Sequence, residues 1–349
     1  MNRFLILTLF FAGVILLAAC GNSQNAADAK IYNIPEIDKL TVEIAKNPKS
    51  AALYAARSLV FSEKEMMKEA EIDAEKALQL DSTKVDYYRL LGNAYFDNFH
   101  SHDAIKVLQK AIGRFPQEAK LYLILAEMQM LVEQYKDCIY TIDMLYKIAP
   151  ENPEGMFLQG QVFRLTGDSL KAIEIFEKVV ARDADHVSAY MELALYTNKK
   201  GDPVTLKYLE NVLRIDSMHE GALLTRAQYY HFRSEYTEAI KQYENGIVKH
   251  PQSSDLNYNL GLMYLEMGDN IKSNKDEAAK YYGSSLRHFD NSTKFDLQFA
   301  DAYYYKAIAA ERLGKKDLAV RDYENAMRLQ AYLETVSPIT VEKALYKLK

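Results

Sequence analysis

The chain has 349 residues, of which 49% are hydrophobic and 26% are charged, and this ordinary globular balance excludes a disordered or collagen-like protein. The formal net charge of −5 at pH 7 disfavours nucleic acid as a partner, because proteins that neutralise phosphates carry a basic excess. Glycine (14) and proline (8) are scarce and tryptophan is absent, which favours helices over a turn-rich β protein. Two cysteines, Cys20 and Cys138, are too few for a disulfide framework or a cysteine-rich metal site.

The first predicted element is an export signal at residues 1–19. Arg3 supplies a positive charge before an apolar run from Phe4 to Leu17, and this run is too short to favour a bilayer span. The end of the run, Leu-Ala-Ala-Cys, resembles the bacterial lipobox. The resemblance implies that Cys20 is lipidated and becomes the first residue of the mature protein. A plain signal peptide or an uncleaved anchor with a chance cysteine is the alternative.

Residues 20–35 are predicted to form a flexible tether, because the residues after Cys20 are small and polar. Neither an aspartate nor an acidic run directly follows Cys20. By resemblance to known lipoproteins, this argues against retention in the inner membrane and against export to the cell surface. The predicted address is therefore the cell envelope, as an outer-membrane lipoprotein facing the periplasm.

The rest of the chain repeats with a period of 34 residues. Small residues recur at this spacing in two series, Ala70, Ala104, Cys138 and Ala172, and Gly92, Ala126, Gly160 and Ala194. Within a repeat the two small residues lie 12 apart, with bulky aromatic residues at fixed offsets between repeats. Small residues at a recurring position let two helices approach closely, so each repeat is predicted to be a helical hairpin.

This pattern resembles the tetratricopeptide repeat, which has small residues at positions 8 and 20, an aromatic residue at 24 and proline at 32. The aromatic position holds Phe176, Tyr243, Tyr282 and Tyr323, and the proline position holds Pro116, Pro150 and Pro251. The resemblance implies an all-α fold, a right-handed α-α superhelix of about eight repeats across residues 51–333. Repeats are predicted to begin near Ala51, Val85, Ala119, Pro153, Val187, Glu220, Ser254 and Ala300. Residues 36–50 and 334–349 are predicted to be N-terminal and C-terminal capping helices.

Insertions interrupt this period in one repeat, and glycines recur at one position of several repeats. Repeat seven carries five extra residues within 268–277 and seven more within 287–299. Such insertions usually form loops, often on a binding face, although drift in a tolerant loop is the alternative. Gly167, Gly201, Gly268 and Gly314 share one repeat position, where a left-handed residue is predicted to end the first helix.

The sequence offers little catalytic chemistry. It contains no phosphate-binding loop, Gly-x-Ser-x-Gly elbow, His-Glu-x-x-His motif or EF-hand spacing, so no enzyme activity, metal or cofactor is predicted. His100 and His102 are expected to lie in an exposed turn rather than in a metal site. Cys138 is expected to be buried and unreactive at its small-residue position.

The resemblance implies that positions 2, 5, 9, 12 and 13 of each repeat line a concave groove. The candidate residues for binding a peptide segment or a partner helix are Leu123, Met130, Phe157, Arg164, Leu195, Leu224, Phe232, Tyr258 and Leu262. Packing against neighbouring repeats explains the apolar members equally well.

The sequence therefore predicts a lipid-anchored scaffold or adaptor that binds protein partners in the cell envelope. The alternative is a glycan-binding lipoprotein of the starch-utilisation type. That family carries large insertions between its repeats, and this chain lacks them. The sequence identifies neither the partner nor the oligomeric state.

Overall fold

The structure, a computed structural model, describes residues 31–349. The predicted export signal, Cys20 and most of the tether lie outside these described residues. From residue 31 onward the chain forms helices joined by short turns, and no strand occurs in this part. The predicted all-α class is confirmed. The chain divides into two compact units, residues 31–172 and 173–349, and each is described by itself.

The first unit is a lone helix followed by stacked helical hairpins. Its helices are α1 (Pro35–Lys46), α2 (Ala51–Glu63), α3 (Met67–Leu80), α4 (Val85–Asp97), α5 (Ser101–Arg114), α6 (Ala119–Leu131), α7 (Tyr135–Ile148), α8 (Pro153–Leu165) and the start of α9 (Ser169–Arg182). The helices α2, α4, α6 and α8 begin at the four residues that the 34-residue spacing predicts as repeat starts.

Close helix contacts in the first unit depend on the small residues. Ala70, Ala104 and Cys138 are fully buried where the second helix of a hairpin crosses the first. At the first crossing, the Ser58 hydroxyl donates to the Ala70 carbonyl over 2.7 Å, which requires near contact of the two backbones. Larger apolar side chains then fill the space on either side of each crossing, as in the cluster of Tyr88, Leu108, Leu121 and Leu125.

The turn inside each hairpin is closed by one residue in the left-handed region. In the first unit these residues are Glu65, Phe99, Glu133 and Gly167, with φ between 57° and 87°. The amide of the next residue donates to a carbonyl five residues back, as from His100 to Tyr95 over 2.8 Å. This Schellman-type closure satisfies carbonyls that the helix end leaves unpaired. The structure thus confirms the left-handed closure at Gly167 and extends it to three positions without glycine.

The second unit continues the same hairpin plan after the remainder of α9. Its further helices are α10 (Val187–Lys199), α11 (Val204–Ile215), α12 (Glu220–Phe232), α13 (Tyr236–Lys249), α14 (Ser254–Asn270), α15 (Lys275–Phe295), α16 (Ala300–Arg312), α17 (Lys316–Arg328) and α18 (Pro338–Leu348). A short 3₁₀ turn, Gln330–Tyr332, precedes α18. The helices α10, α12, α14 and α16 also begin at predicted repeat starts. Gly201 and Gly314 adopt the predicted left-handed conformation, with φ of 66° and 70°.

The insertions in repeat seven lengthen helices, and the prediction that they form loops is wrong. Helix α14 has 17 residues and α15 has 21, whereas α12 and α13 have 13 and 14. Only residues 271–274 break the helical run between α14 and α15. Gly268 is consequently a helical residue inside α14, not the predicted left-handed turn residue.

The C-terminal segment is fixed to the last full repeat by a buried carboxylate. Asp301 of α16 accepts hydrogen bonds from the Glu334 amide over 2.8 Å and from the Thr335 hydroxyl over 2.7 Å. These bonds position α18, whose Val341 is buried beside Ala326 and Tyr323. Helix α18 therefore covers the apolar face of α17. Within residues 31–349, every helix is too short or too polar to cross a bilayer.

Candidate partner-binding surface

In the first unit the predicted groove residues lie on α6 and α8. Leu123 and Phe157 occupy the same repeat position and are half-buried. Met130 packs against the cluster that contains Cys138 and Ile142, so it contributes to the core as well as to the surface. Arg164 is exposed, and its Nε donates to Gln161 Oε1 over 2.8 Å.

In the second unit the predicted residues separate into exposed and packed side chains. Leu195 is 42% exposed and Phe232 is 68% exposed. Leu224 and Leu262 pack partly against core clusters of their own repeats. Of these four side chains, Phe232 at the end of α12 is the most exposed.

Tyr258 was predicted to line the groove, but the structure places it in the core. It is only 8% exposed, and its ring centroid lies 4.6 Å from that of Phe299 and 5.9 Å from that of Phe289. The long helix α15 brings Phe289 beneath it, a contact that the sequence spacing did not indicate. Tyr258 is therefore a packing residue and not part of the candidate surface.

Polar pairs that the sequence did not single out join the first helices of repeats six and seven. Gln228 on α12 donates to Asn259 on α14 over 3.1 Å. One turn further along, His231 Nε2 lies 3.0 Å from Glu266 Oε2. The paired residues are 31 positions apart in the first contact and 35 in the second. Only a comparison of adjacent repeats could therefore have suggested them.

The Glu266 carboxylate is held from two sides beside Phe232. Its second oxygen accepts from the Tyr236 hydroxyl over 2.7 Å, and this hydrogen bond raises the pKa of Tyr236. The His231 ring also stacks on Phe232, with 5.8 Å between centroids. The result is an exposed aromatic side chain bordered by a positioned imidazole, phenol and carboxylate. Such a surface can bury an apolar side chain and bind polar backbone groups next to it.

A similar pair joins repeats seven and eight. Arg312 Nε donates to Asp269 Oδ1 over 2.8 Å, and the Tyr282 hydroxyl donates to the same oxygen over 2.8 Å. Burial alone would raise the pKa of Asp269, but the hydrogen bonds from Arg312 and Tyr282 lower it overall. This carboxylate therefore remains ionised and fixes the extra turn of α14 against α15 and α16.

The residues considered for other chemistry, His100, His102 and Cys138, lie in the first unit. His100 Nδ1 lies 2.8 Å from Glu71, while His102 is exposed. Among residues 31–349, no cluster of three potential metal ligands occurs. Burial raises the pKa of the Cys138 thiol to about 12, which suppresses the reactive thiolate.

Comparisons with known proteins agree with the hairpin geometry. Residues 154–186 and 272–332 each match a family model of the tetratricopeptide repeat. The C-terminal part of a TPR repeat-containing protein from Cytophaga hutchinsonii superposes with a TM-score of 0.53. It is 17% identical, and the alignment covers 74% of this chain and 99% of that structure. The fold is that of the tetratricopeptide repeat.

Curated relatives are longer than this chain. A TPR repeat-containing protein from Methanocaldococcus jannaschii, MJ1428, is 22% identical over 281 residues, which are 75% of this chain. The human Superkiller complex protein 3 is 21% identical over 247 residues, or 65% of this chain. The chain spans 47% of the archaeal protein and 15% of the human protein. The tetratricopeptide-repeat fold supports a scaffold that binds other proteins.

Proposed function

We propose that this protein is a lipid-anchored scaffold of the cell envelope, which binds a protein partner through the first helices of its repeats. The observation that carries the binding proposal is the exposed aromatic surface around Phe232. An apolar side chain with this exposure contributes nothing to the core, yet it is bordered by ordered polar groups. That combination is typical of the centre of an interface.

The proposed ligand is an extended or helical peptide segment with two large apolar side chains. Phe232 on α12 and Leu195 on α10 would each bury an apolar side chain of the segment, and Gln228 would meet its main-chain groups. His231 and Glu266 are already paired with each other, so they would orient the segment by polar contacts at the rim. Complete burial of one such side chain contributes roughly 1.5–3 kcal/mol.

The test is a double variant, Phe232→Ala with Leu195→Ala, in the full chain. Both side chains are exposed, so the free energy of unfolding should change little. Affinity for a native partner should fall by about a hundredfold, because losing two buried contacts costs roughly 3 kcal/mol or more. Partners isolated by crosslinking in the native cell would supply the ligand for titration.

Val248→Ala with Met218→Ala is the matched control. These side chains are apolar and exposed in the same unit, but they lie on α13 and in the turn before α12. This pair should retain full affinity. If both double variants bind equally well, the partner does not contact the proposed surface.

Lipid attachment is tested separately at Cys20. A fatty-acid analogue supplied to growing cells should label the wild-type protein, and the Cys20→Ala variant should carry no label. Equal labelling of both proteins would exclude acylation of Cys20.

A further inference from the structure

One edge of the first unit gathers the turns inside its hairpins, and we name it the turn edge. It contains the ends of α4, α6 and α8 and the beginnings of α5, α7 and α9. Adjacent turns meet there: Asn98 and His100, in the turn of repeat two, both lie within 2.8 Å of the Glu71 carboxylate at the start of α3. Because each hairpin reverses direction at this edge, the turns of repeats one to four are presented side by side.

The turn edge carries unusually exposed apolar side chains. Phe99 is 92% exposed and Leu170 is 75% exposed, and Leu131 and Leu165 are also exposed at the ends of α6 and α8. Phe99 also adopts a φ of 64°, in the left-handed region that favours glycine. A large aromatic residue here gains no packing within the chain. Its side chain is available to an external apolar phase.

The chain enters the fold at the same edge. The Tyr32 ring lies 5.1 Å from that of Phe61, near the end of α2, and Ile34 and Met66 pack into the same cluster. Helix α1 therefore starts beside the turn of repeat one. Only ten residues lie between Cys20 and Ile31, so a fully extended link of eleven Cα-to-Cα steps reaches at most roughly 40 Å. Neighbouring helices lie about 10 Å apart, which keeps the turns of repeats two to four within that reach.

We infer that the turn edge rests on a lipid surface, with Phe99 and Leu170 inserted among the acyl chains. This inference depends on the proposed anchor at Cys20, which would hold the entry point of the chain next to the membrane. The polar side chains around Leu170 include the ion pair of Lys171 and Asp168, with N and O atoms 2.7 Å apart. Lys136 and Asp137, at the start of α7 in the next hairpin turn, likewise carry opposite charges. Together with the exposed Glu65 and Glu133 of the hairpin turns, these charges fit a zwitterionic headgroup layer and disfavour an anionic one.

The absence of tryptophan from the chain permits a single-reporter experiment. The full chain with Phe99→Trp is coupled through Cys20 to a maleimide lipid in phosphatidylcholine vesicles that contain brominated acyl chains. Cys138 is fully buried and does not compete for the maleimide. Gln117→Trp is the matched control, since Gln117 is exposed in a turn at the opposite edge of the same unit.

The indole of the Phe99→Trp variant should shift to shorter emission wavelength on coupling and be quenched several-fold more strongly than that of the Gln117→Trp variant. Adding Leu170→Ser to the Phe99→Trp chain should reduce that quenching, while circular dichroism stays unchanged. Equal quenching of the two reporters would overturn the inference. So would a blue shift of the Phe99→Trp reporter that depends on protein concentration without vesicles, because the edge would then contact a second copy of the chain.

Coupling imposes the attachment chemically, so this result does not depend on acylation in the cell. If cells label the protein at Cys20 but the Phe99→Trp reporter is not quenched, the proposed anchor stands and the inference about the turn edge fails. If the reporter is quenched but cells do not acylate the protein, the turn edge binds lipid and the proposed anchor at Cys20 fails.

Discussion

Single residues in the hairpin turns store backbone strain that a glycine would relieve. Glu133 is exposed with a φ of 61°, a conformation that costs an L-residue roughly 1–2 kcal/mol. Glu133→Gly should stabilise the first unit by about 1 kcal/mol, after part of the gain is offset by the greater freedom of glycine in the unfolded chain. Urea denaturation followed by circular dichroism measures the change. Glu127→Gly, at an exposed position within α6, should instead destabilise by about 1 kcal/mol.

His288 makes the stability of the second unit depend on pH. Burial and the neighbouring charge of Arg287 lower its pKa to about 4 from the usual 6.5, while the ring stacks on Tyr264 and lies 3.1 Å from Asn257 Oδ1. The unfolded chain therefore binds a proton as the pH falls below 6.5, and the folded chain does not until about pH 4. Above pH 6.5, His288 therefore costs no stability. As the pH falls, the free energy of unfolding decreases, by up to about 3 kcal/mol at pH 4.

The variant His288→Gln isolates this contribution. Its free energy of unfolding should vary less between about pH 7 and pH 4 than that of the wild type, since the titrating imidazole is gone. Thermal melts at both pH values supply the comparison. An equal pH dependence in the two proteins would show that other groups, such as buried carboxyls, cause the loss.

Helices α14 and α15 pack so closely at one glycine that an added methyl group would clash with the facing side chain. At Gly268 in α14, an added Cβ would lie 2.5 Å from the ring of Tyr282, whose hydroxyl is fixed to Asp269. Gly268→Ala should destabilise the second unit by roughly 1–3 kcal/mol, because the ring cannot retreat without losing that hydrogen bond.

Gly283, in α15 nearby, is the control for this element. An added Cβ there meets no atom within 4 Å, and the position is exposed and helical. Gly283→Ala should therefore stabilise by about 0.5–1 kcal/mol through helix propensity alone. Chemical denaturation of the two variants should give shifts of opposite sign, and shifts of the same sign would contradict this account of the α14–α15 contact.

Within each unit, cooperativity should decay along the stack of hairpins, because a repeat contacts mainly its neighbours. Ala239 is fully buried between α12 and α13, beside Tyr243 and Leu256. Ala239→Leu should overpack this crossing by about 1–3 kcal/mol. Hydrogen exchange read by mass spectrometry should then show faster exchange in α12, α13 and α14.

Residues 31–172 should keep the exchange rates of the wild type in that experiment. A uniform loss of protection across both units would mean that the chain unfolds as one cooperative body. The turn edge and the surface around Phe232 belong to different units, so substitutions should inactivate each of them separately.

Spacing along the chain was enough to predict the hairpins and their boundaries. A period of 34 residues, small residues 12 apart and turn residues between them all act through contacts close along the chain, so eight helix starts followed from the repeat. The same reasoning predicted that Cys138 is buried and that Gly167 closes a helix. The candidate binding residues instead came from the resemblance to the tetratricopeptide repeat, which implies that positions 2, 5, 9, 12 and 13 of each repeat line the groove.

Which of those side chains remain exposed for binding depends on how the repeats pack in three dimensions. Tyr258 and Phe232 both sit at groove positions, but Phe299 and Phe289 cover the first, whereas the second remains 68% exposed. The extra residues of repeat seven became helix because α14 and α15 support each other over their added length, which no local pattern indicates. Likewise, the pairing of Gln228 with Asn259 and the gathering of Phe99 with Leu170 depend on how repeats stack. Contacts between residues about 30 or more positions apart follow from packing, and packing is settled only when the whole unit folds.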